Sequence, residues 1–103
     1  MDKEERRENA KKRIDQLFDR LNELETKFKH AGETRKLELK REMDELRSLK
    51  DDLQTKYEDL QQATEDSTKE LKAAFEQTAD IFKQRIDNVF QNFRRNSKDS
   101  QEK

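Results

Sequence analysis

The chain lacks several of the residue types on which enzymes and metal proteins depend. It contains no cysteine, no proline and no tryptophan, and its only glycine is Gly32. Without cysteine there can be no disulfide bond, no thiolate nucleophile and no zinc site built on sulfur. A single glycine also excludes the glycine-rich loops that bind phosphate groups in many nucleotide-binding proteins. These absences remove much of the familiar chemistry of catalytic proteins from consideration.

Long apolar stretches are missing as well. The longest uninterrupted apolar run is Ala73 to Phe75, and the first apolar side chains after the charged N-terminal region are Ala10 and Ile14. A signal peptide needs an apolar core of about 7–15 residues, and a membrane-spanning helix needs about 20. We therefore expect neither kind of segment, and we expect a cytoplasmic protein.

Charge is abundant, with the two signs in balance. Of the 103 residues, 48% are charged and only 28% are hydrophobic, yet the formal net charge is −1. So few apolar residues cannot fill a thick globular core. The low net charge and the regular spacing of the apolar residues argue against disorder. A high content of Ala, Glu, Lys, Leu and Arg with helical periodicity is typical of long helices and coiled coils, so the predicted fold class is all-α.

Two rows of residues recur in alternating steps of three and four, which places each row along one side of a helix. The first seam is Ala10, Ile14, Leu17, Leu21, Leu24, Phe28 and Ala31. The second seam is Leu39, Met43, Leu46, Lys50, Leu53, Tyr57, Leu60 and Thr64. Lys50 interrupts the apolar character of the second seam, and we expect it to penalise mispaired registers, as polar residues at a positions do.

The two seams change register around Gly32. Phe28 and Leu39 are eleven residues apart, which is three helical turns rather than two heptads. One interpretation is a helix that continues with local unwinding. The other is a helix that ends with Gly32 in the left-handed conformation, so that the chain turns back. Because no Asn, Asp, Ser or Pro accompanies the glycine, the sequence favours one continuous helix from about residue 3 to residue 64.

A second boundary is predicted near Ser67. Ser67 and Glu70 have the spacing of a capping box, in which two side chains satisfy free backbone amides at the start of a helix. Thr64 and Ser67 also put polar side chains at expected seam positions, which favours a kink or a corner at residues 63–68. We therefore predict another helix from about residue 67 to 94, followed by a polar tail at residues 95–103.

This last helix has a broader apolar face than the seams. Its central row is Leu71, Phe75, Thr78, Phe82, Ile86, Val89 and Phe93, and the flanking residues are Ala74, Ala79, Ile81 and Phe90. The apolar arc therefore covers about half the helix circumference, which suits contact with two neighbouring helices. Leaving the row in water would forfeit well over roughly 10 kcal/mol, so we expect another surface to cover it.

Three sharper functional hypotheses find little support. The leucines of the second seam resemble a basic zipper, but Glu38 and Glu42 interrupt the bases that a nucleic acid would require, so we expect no nucleic-acid partner. His30 is the only histidine, and Lys27 rather than an acid lies three residues before it, so we predict no metal site. The acids alternate with bases on a polar face, and we expect neither catalytic nor cofactor-binding residues.

Residues 36–93 contain, in order, a charged heptad helix, a break at Asp66 and Ser67, and a second helical segment. The residues that mark this last segment are Leu71, Lys72, Ala74, Phe75, Glu76 and Phe93. This pattern resembles a group of small, uncharacterised bacterial coiled-coil proteins. The chain departs from that group in having Thr68 and Ile81 or Phe82 where tryptophans are common. The resemblance implies an all-helical, self-associating protein and supplies no catalytic residue.

The sequence thus predicts a non-enzymatic structural or interaction protein that self-associates as an oligomeric helical bundle, with other coiled-coil proteins as further candidate partners. The expected interface residues are Ile14, Leu17, Leu21, Leu24, Phe28, Leu39, Met43, Leu46, Leu53, Tyr57, Leu60, Leu71, Phe75, Phe82, Ile86, Val89 and Phe93. The alternative fold is a monomeric three-helix bundle with turns near Gly32 and Ser67.

The alternative function is binding to a lipid surface through the Phe-rich last helix. Lys72, Lys83 and Arg94 lie near one edge of its apolar face, as bases do in helices that lie at a membrane surface. Glu76 and Asp87 lie beside them and reduce the attraction to anionic lipid. Core packing is therefore the favoured interpretation.

Overall fold

The chain folds into three helices that pack side by side. The computed structural model describes the backbone of residues 3–101, and the side chains of residue 5 and residues 7–94. Helix α1 spans Lys3–Lys29, α2 spans Glu33–Gln61 and α3 spans Glu65–Gln101. The bundle is 58 Å long and 21 by 17 Å across, and each helix packs against both others. The all-α prediction is confirmed.

The first turn lies at Gly32, so the prediction of a continuous helix over residues 3–64 is wrong. Helix α1 ends as the Ala31 N–H donates to the Phe28 carbonyl at 3.1 Å, and α2 begins as the Lys36 N–H donates to the Gly32 carbonyl at 3.0 Å. Gly32 has φ −65° and ψ 160°, an extended conformation rather than the left-handed one expected for a turn at this glycine. The reversal lets the first and second seams cover each other within one chain, and this burial outweighs the local preference for helix.

The second turn comes slightly before the predicted one. Helix α3 begins at Glu65, so Thr64 rather than Ser67 immediately precedes it, and the predicted Ser67–Glu70 capping box lies inside the helix. The Thr64 carbonyl accepts the Thr68 N–H at 3.0 Å and the Thr68 hydroxyl at 2.5 Å. Thr68 is 3% exposed, and the carbonyl bond satisfies its buried hydroxyl.

Helix α3 continues beyond residue 94, where the sequence predicted a polar tail. Its backbone remains helical to Gln101, and residues 102 and 103 lie outside the described part of the chain. The segment after Phe93 contains neither glycine nor proline, so nothing in its sequence interrupts the backbone hydrogen bonds of a helix.

One apolar core runs along the bundle axis, and every helix contributes to it. Its buried residues are Ala10, Ile14, Leu17, Leu21, Leu24, Leu39, Met43, Leu46, Leu53, Leu60, Phe75, Ala79, Phe82, Ile86, Val89 and Phe93. The broad apolar face of α3 packs against both α1 and α2, as its width predicted. Each fully buried Leu or Phe side chain contributes about 1.5–3 kcal/mol, so this thin core is the main source of stability.

Candidate functional site

The residues predicted to form an interface between chains all lie in the core of a single chain. Most of them are buried, and Phe28, Tyr57 and Leu71 are partly buried against the same cluster. The apolar residues of both seams are thus buried by contacts within one chain. A second copy could reach them only if the bundle opened, which would expose the core at a large cost in free energy.

The Phe-rich face of α3 also lies inside the bundle, against the other two helices. Phe75, Phe82 and Ile86 are each no more than 1% exposed. A lipid surface would have to displace α1 and α2 to reach these side chains. The closed bundle therefore presents other residues to its surroundings.

Two large apolar side chains remain exposed among the described residues. Leu37 is 77% exposed and Ile81 is 42% exposed. Leu37 lies two residues before the buried Leu39, which places it on the solvent side of α2. A single exposed leucine is ordinary in a soluble protein, so its surroundings decide whether it has a role.

Leu37 and Ile81 line the same shallow groove, which lies between α2 and α3. The groove has a volume of about 750 Å³. Its other lining residues are Lys40, Arg41, Asp44, Glu45, Ser48, Leu49 and Arg85. An ion pair between Arg85 and Glu45 joins the two helices there. The groove therefore combines an apolar base with charged side chains of both signs.

A second groove lies on the other side of Leu37, between α1 and α2. It has a volume of about 370 Å³ and includes Phe28, Lys36, Lys40 and Asp44. Arg47, which also lines it, pairs with Glu25 of α1 at 3.6 Å and with Asp44 at 3.3 Å. Because Leu37 lines both grooves, it forms an apolar ridge between them. We call this ridge with its two flanking grooves the α2 face.

Charges of both signs lie along the α2 face. Lys36, Lys40 and Arg41 are followed within about one turn by Asp44 and Glu45. Arg47 pairs with Asp44, and Arg85 pairs with Glu45, so bases flank these two acids. The face therefore offers both signs of charge to a partner.

Sequence reasoning did not select the α2 face because it followed the seams. Leu37 stands outside both seams, and an apolar residue off the seam was the one signal that could have identified this face. Ile81 was recognised as a flanking residue of the last helix, but its partial exposure depends on how far α2 covers α3.

Among the described side chains, no group of three or more His, Asp or Glu residues is placed to hold a metal ion. No helix in that part of the chain has the length and apolar content needed to cross a membrane.

Comparisons with protein-family models, with curated proteins and with solved structures find no match to this chain. The resemblance to bacterial coiled-coil proteins therefore stays an expectation from the sequence.

Proposed function

We propose that the protein is a non-enzymatic interaction protein that self-associates, and that it does so through the α2 face rather than through its seams. The main support is the position of Leu37, which is 77% exposed and lies beside a groove lined by Leu49 and Ile81. An apolar ridge next to a groove with an apolar base has a shape that can interlock with a second copy of itself. Burying the Leu37 side chain of each copy would contribute about 1.5–3 kcal/mol per side chain.

A second copy is the occupant that the charges favour. In a two-fold arrangement with the two α2 helices antiparallel, Lys40 and Arg41 of one copy face Asp44 and Glu45 of the other. The same contacts then occur twice, as a symmetric dimer interface requires. Leu37 of each copy enters the groove of the other beside Ile81. A purely basic or purely acidic partner would meet charges of its own sign on this face.

A typical specific interface buries about 800 Å² on each partner. The proposed interface is centred on the N-terminal half of α2 and extends onto α3 through Ile81 and Arg85.

Sedimentation equilibrium over a range of protein concentrations tests the proposal. The wild-type chain is expected to rise in mass from 12.5 kDa towards twice that value. The Leu37→Asp variant should remain monomeric with unchanged helicity, because it removes the apolar ridge and puts a charged group that would have to lose its water in its place. Gln16→Asp adds the same charge on the exposed side of α1 and should still dimerise.

A charge reversal tests the two-fold arrangement itself. Arg41→Glu and Asp44→Arg should each weaken the dimer, and the double variant should recover much of the affinity, because the opposite charges face each other again. A wild-type chain that stays monomeric at every concentration contradicts the proposal. So does a dimer that Leu37→Asp leaves intact.

A further inference from the structure

A separate pocket lies at the end of the bundle where α1 turns into α2. It has a volume of about 490 Å³, within the range of pockets that hold small molecules. Its lining comes from all three helices and the first turn: Lys27, His30, Ala31, Arg35, Phe90, Phe93 and Arg94. This end pocket shares no lining residue with the groove between α2 and α3.

The end pocket is lined by basic residues and contains no acid. Lys27, Arg35 and Arg94 carry positive charge, and His30 adds a fourth basic side chain. The chain as a whole has a net charge of −1, so this concentration of bases is local. Among the described side chains, none of these four forms an ion pair, whereas arginines elsewhere on the bundle pair with Asp or Glu.

Helix electrostatics accounts for only part of this arrangement. Lys27 lies in the last turn of α1, where a base complements the helix dipole. Arg35 lies in the first turn of α2, where the dipole favours acids instead. Arg94 lies within α3, well before the end of that helix at Gln101. The helix dipole therefore does not account for Arg35 and Arg94 at this end of the bundle.

Aromatic rings form the apolar part of the pocket. Phe93 is 7% exposed and Phe90 is partly buried, so both rings are held in place by the core. The guanidinium carbon of Arg35 lies 5.9 Å from the centre of the Phe93 ring. A guanidinium over a ring keeps its N–H groups available for an anion, and its planar donors match the oxygens of a phosphate group.

We propose that the end pocket binds a phosphate-bearing molecule that has an aromatic or apolar body. The phosphate group contacts Arg35, Arg94 and Lys27, and the body packs on Phe90 and Phe93. Several cations around one pocket suit a doubly charged phosphate better than a singly charged carboxylate. A small phosphate ester and the headgroup of an anionic phospholipid share this chemistry.

An NMR titration of the ¹⁵N-labelled chain with phenyl phosphate in about 150 mM salt, which screens weak surface contacts, tests the pocket. The amide signals of residues 27–35 and 90–94 should shift and reach saturation. Benzoate, which has the same ring and a single charge, should bind at least severalfold more weakly. Shifts that never saturate, or benzoate binding equal to phenyl phosphate binding, would overturn the proposal.

Charge-removing variants test the named residues. Arg35→Gln and Arg94→Gln should each weaken phenyl phosphate binding about tenfold or more, because each removes a charged hydrogen-bond donor. Lys11→Gln removes the same charge from an exposed site on α1 and should bind normally. Circular dichroism checks that each variant is folded. Inorganic pyrophosphate should displace phenyl phosphate from the wild-type chain, and failure to do so would overturn the proposal without any variant.

Vesicle sedimentation distinguishes the two sources of phosphate. Vesicles of phosphatidylcholine with phosphatidic acid should carry the wild-type chain, but not Arg35→Gln, into the pellet if the natural ligand is a headgroup. If only phenyl phosphate binds, with the same dependence on Arg35, the ligand is a free phosphate ester. Vesicle binding that persists in Arg35→Gln contradicts a role for the pocket in lipid binding.

Discussion

The ring of Phe18 in α1 meets the ring of Phe82 in α3 edge to face, with ring centres 6.1 Å apart and ring planes at 74°. The amino group of Lys50 in α2 lies 5.4 Å from the centre of the Phe18 ring. Phe18 is therefore a point at which all three helices meet. Contacts of this kind hold the three helices of one chain together.

Replacing Phe82 with alanine should strongly destabilise the bundle. Phe82 is fully buried, and loss of a large core side chain costs about 3–5 kcal/mol. Urea unfolding followed by circular dichroism measures the change. The neighbouring Ile81 is 42% exposed, so Ile81→Ala should cost only about 1 kcal/mol or less. Equal effects of the two substitutions would mean that Phe82 does not face the core.

Lys50 and Phe18 should be energetically coupled. A cation close to an aromatic ring contributes about 0.5–1 kcal/mol at a partly exposed site. In a double-mutant cycle, Lys50→Met and Phe18→Leu should each destabilise the protein, and the double variant should lose less than the sum of the two by that amount. Unfolding free energies that add within about 0.3 kcal/mol would show that the two side chains do not interact.

Gly32→Ala should be tolerated with little net change in stability. The backbone angles of Gly32 are accessible to alanine, and a methyl group there would meet nothing within 4 Å. Alanine restricts the unfolded chain, which stabilises the fold by about 0.4–1 kcal/mol, but Gly32 is the N-cap of α2, where alanine is disfavoured by a similar amount. The free energy of unfolding should therefore change by less than about 1 kcal/mol. Small-angle X-ray scattering should give the same compact shape as for wild type. A longer particle would indicate that alanine straightens the turn into the continuous helix that the sequence favoured.

Arg20 should matter more to stability than other surface bases. It pairs with Asp87 of α3 at 2.7 Å and lies 5.2 Å from the centre of the Phe90 ring. Arg20→Met should cost about 1–2 kcal/mol in thermal or urea unfolding, from the ion pair and the ring contact together. Lys83 also pairs with Asp87, at 3.6 Å within α3, and Lys83→Gln should cost no more than about 0.5 kcal/mol. A larger loss for Lys83→Gln would contradict this ranking.

The seams could be predicted from sequence, and the way they are covered could not. Spacing alone identified Leu21, Leu46 and Phe82 as buried, because a helix repeats its faces regularly. The turn at Gly32 was missed because local turn signals are weak there, and contacts between distant residues decide it. Phe18 was missed for a related reason: a third helix requires each helix to bury a face wider than one seam.

The surface features depend still more on tertiary structure. Leu37 acquires its neighbours Leu49 and Ile81 only when α3 packs beside α2. Likewise, Arg35 and Arg94 are far apart in sequence and meet only at the end of the closed bundle. Periodicity places a residue on a helix face, but it does not identify the helix that lies next to that face.

The most direct measurement asks whether one chain or two provide the contact between Phe18 and Phe82. An isotope-filtered NOE experiment on a mixture of labelled and unlabelled chains, refolded together, detects only contacts between different chains. The account predicts a strong NOE between the two rings in a uniformly labelled sample and none in the filtered spectrum of the mixture. A ring-to-ring NOE in the filtered spectrum would show that a second chain covers the Phe-rich face, and it would contradict the self-contained bundle.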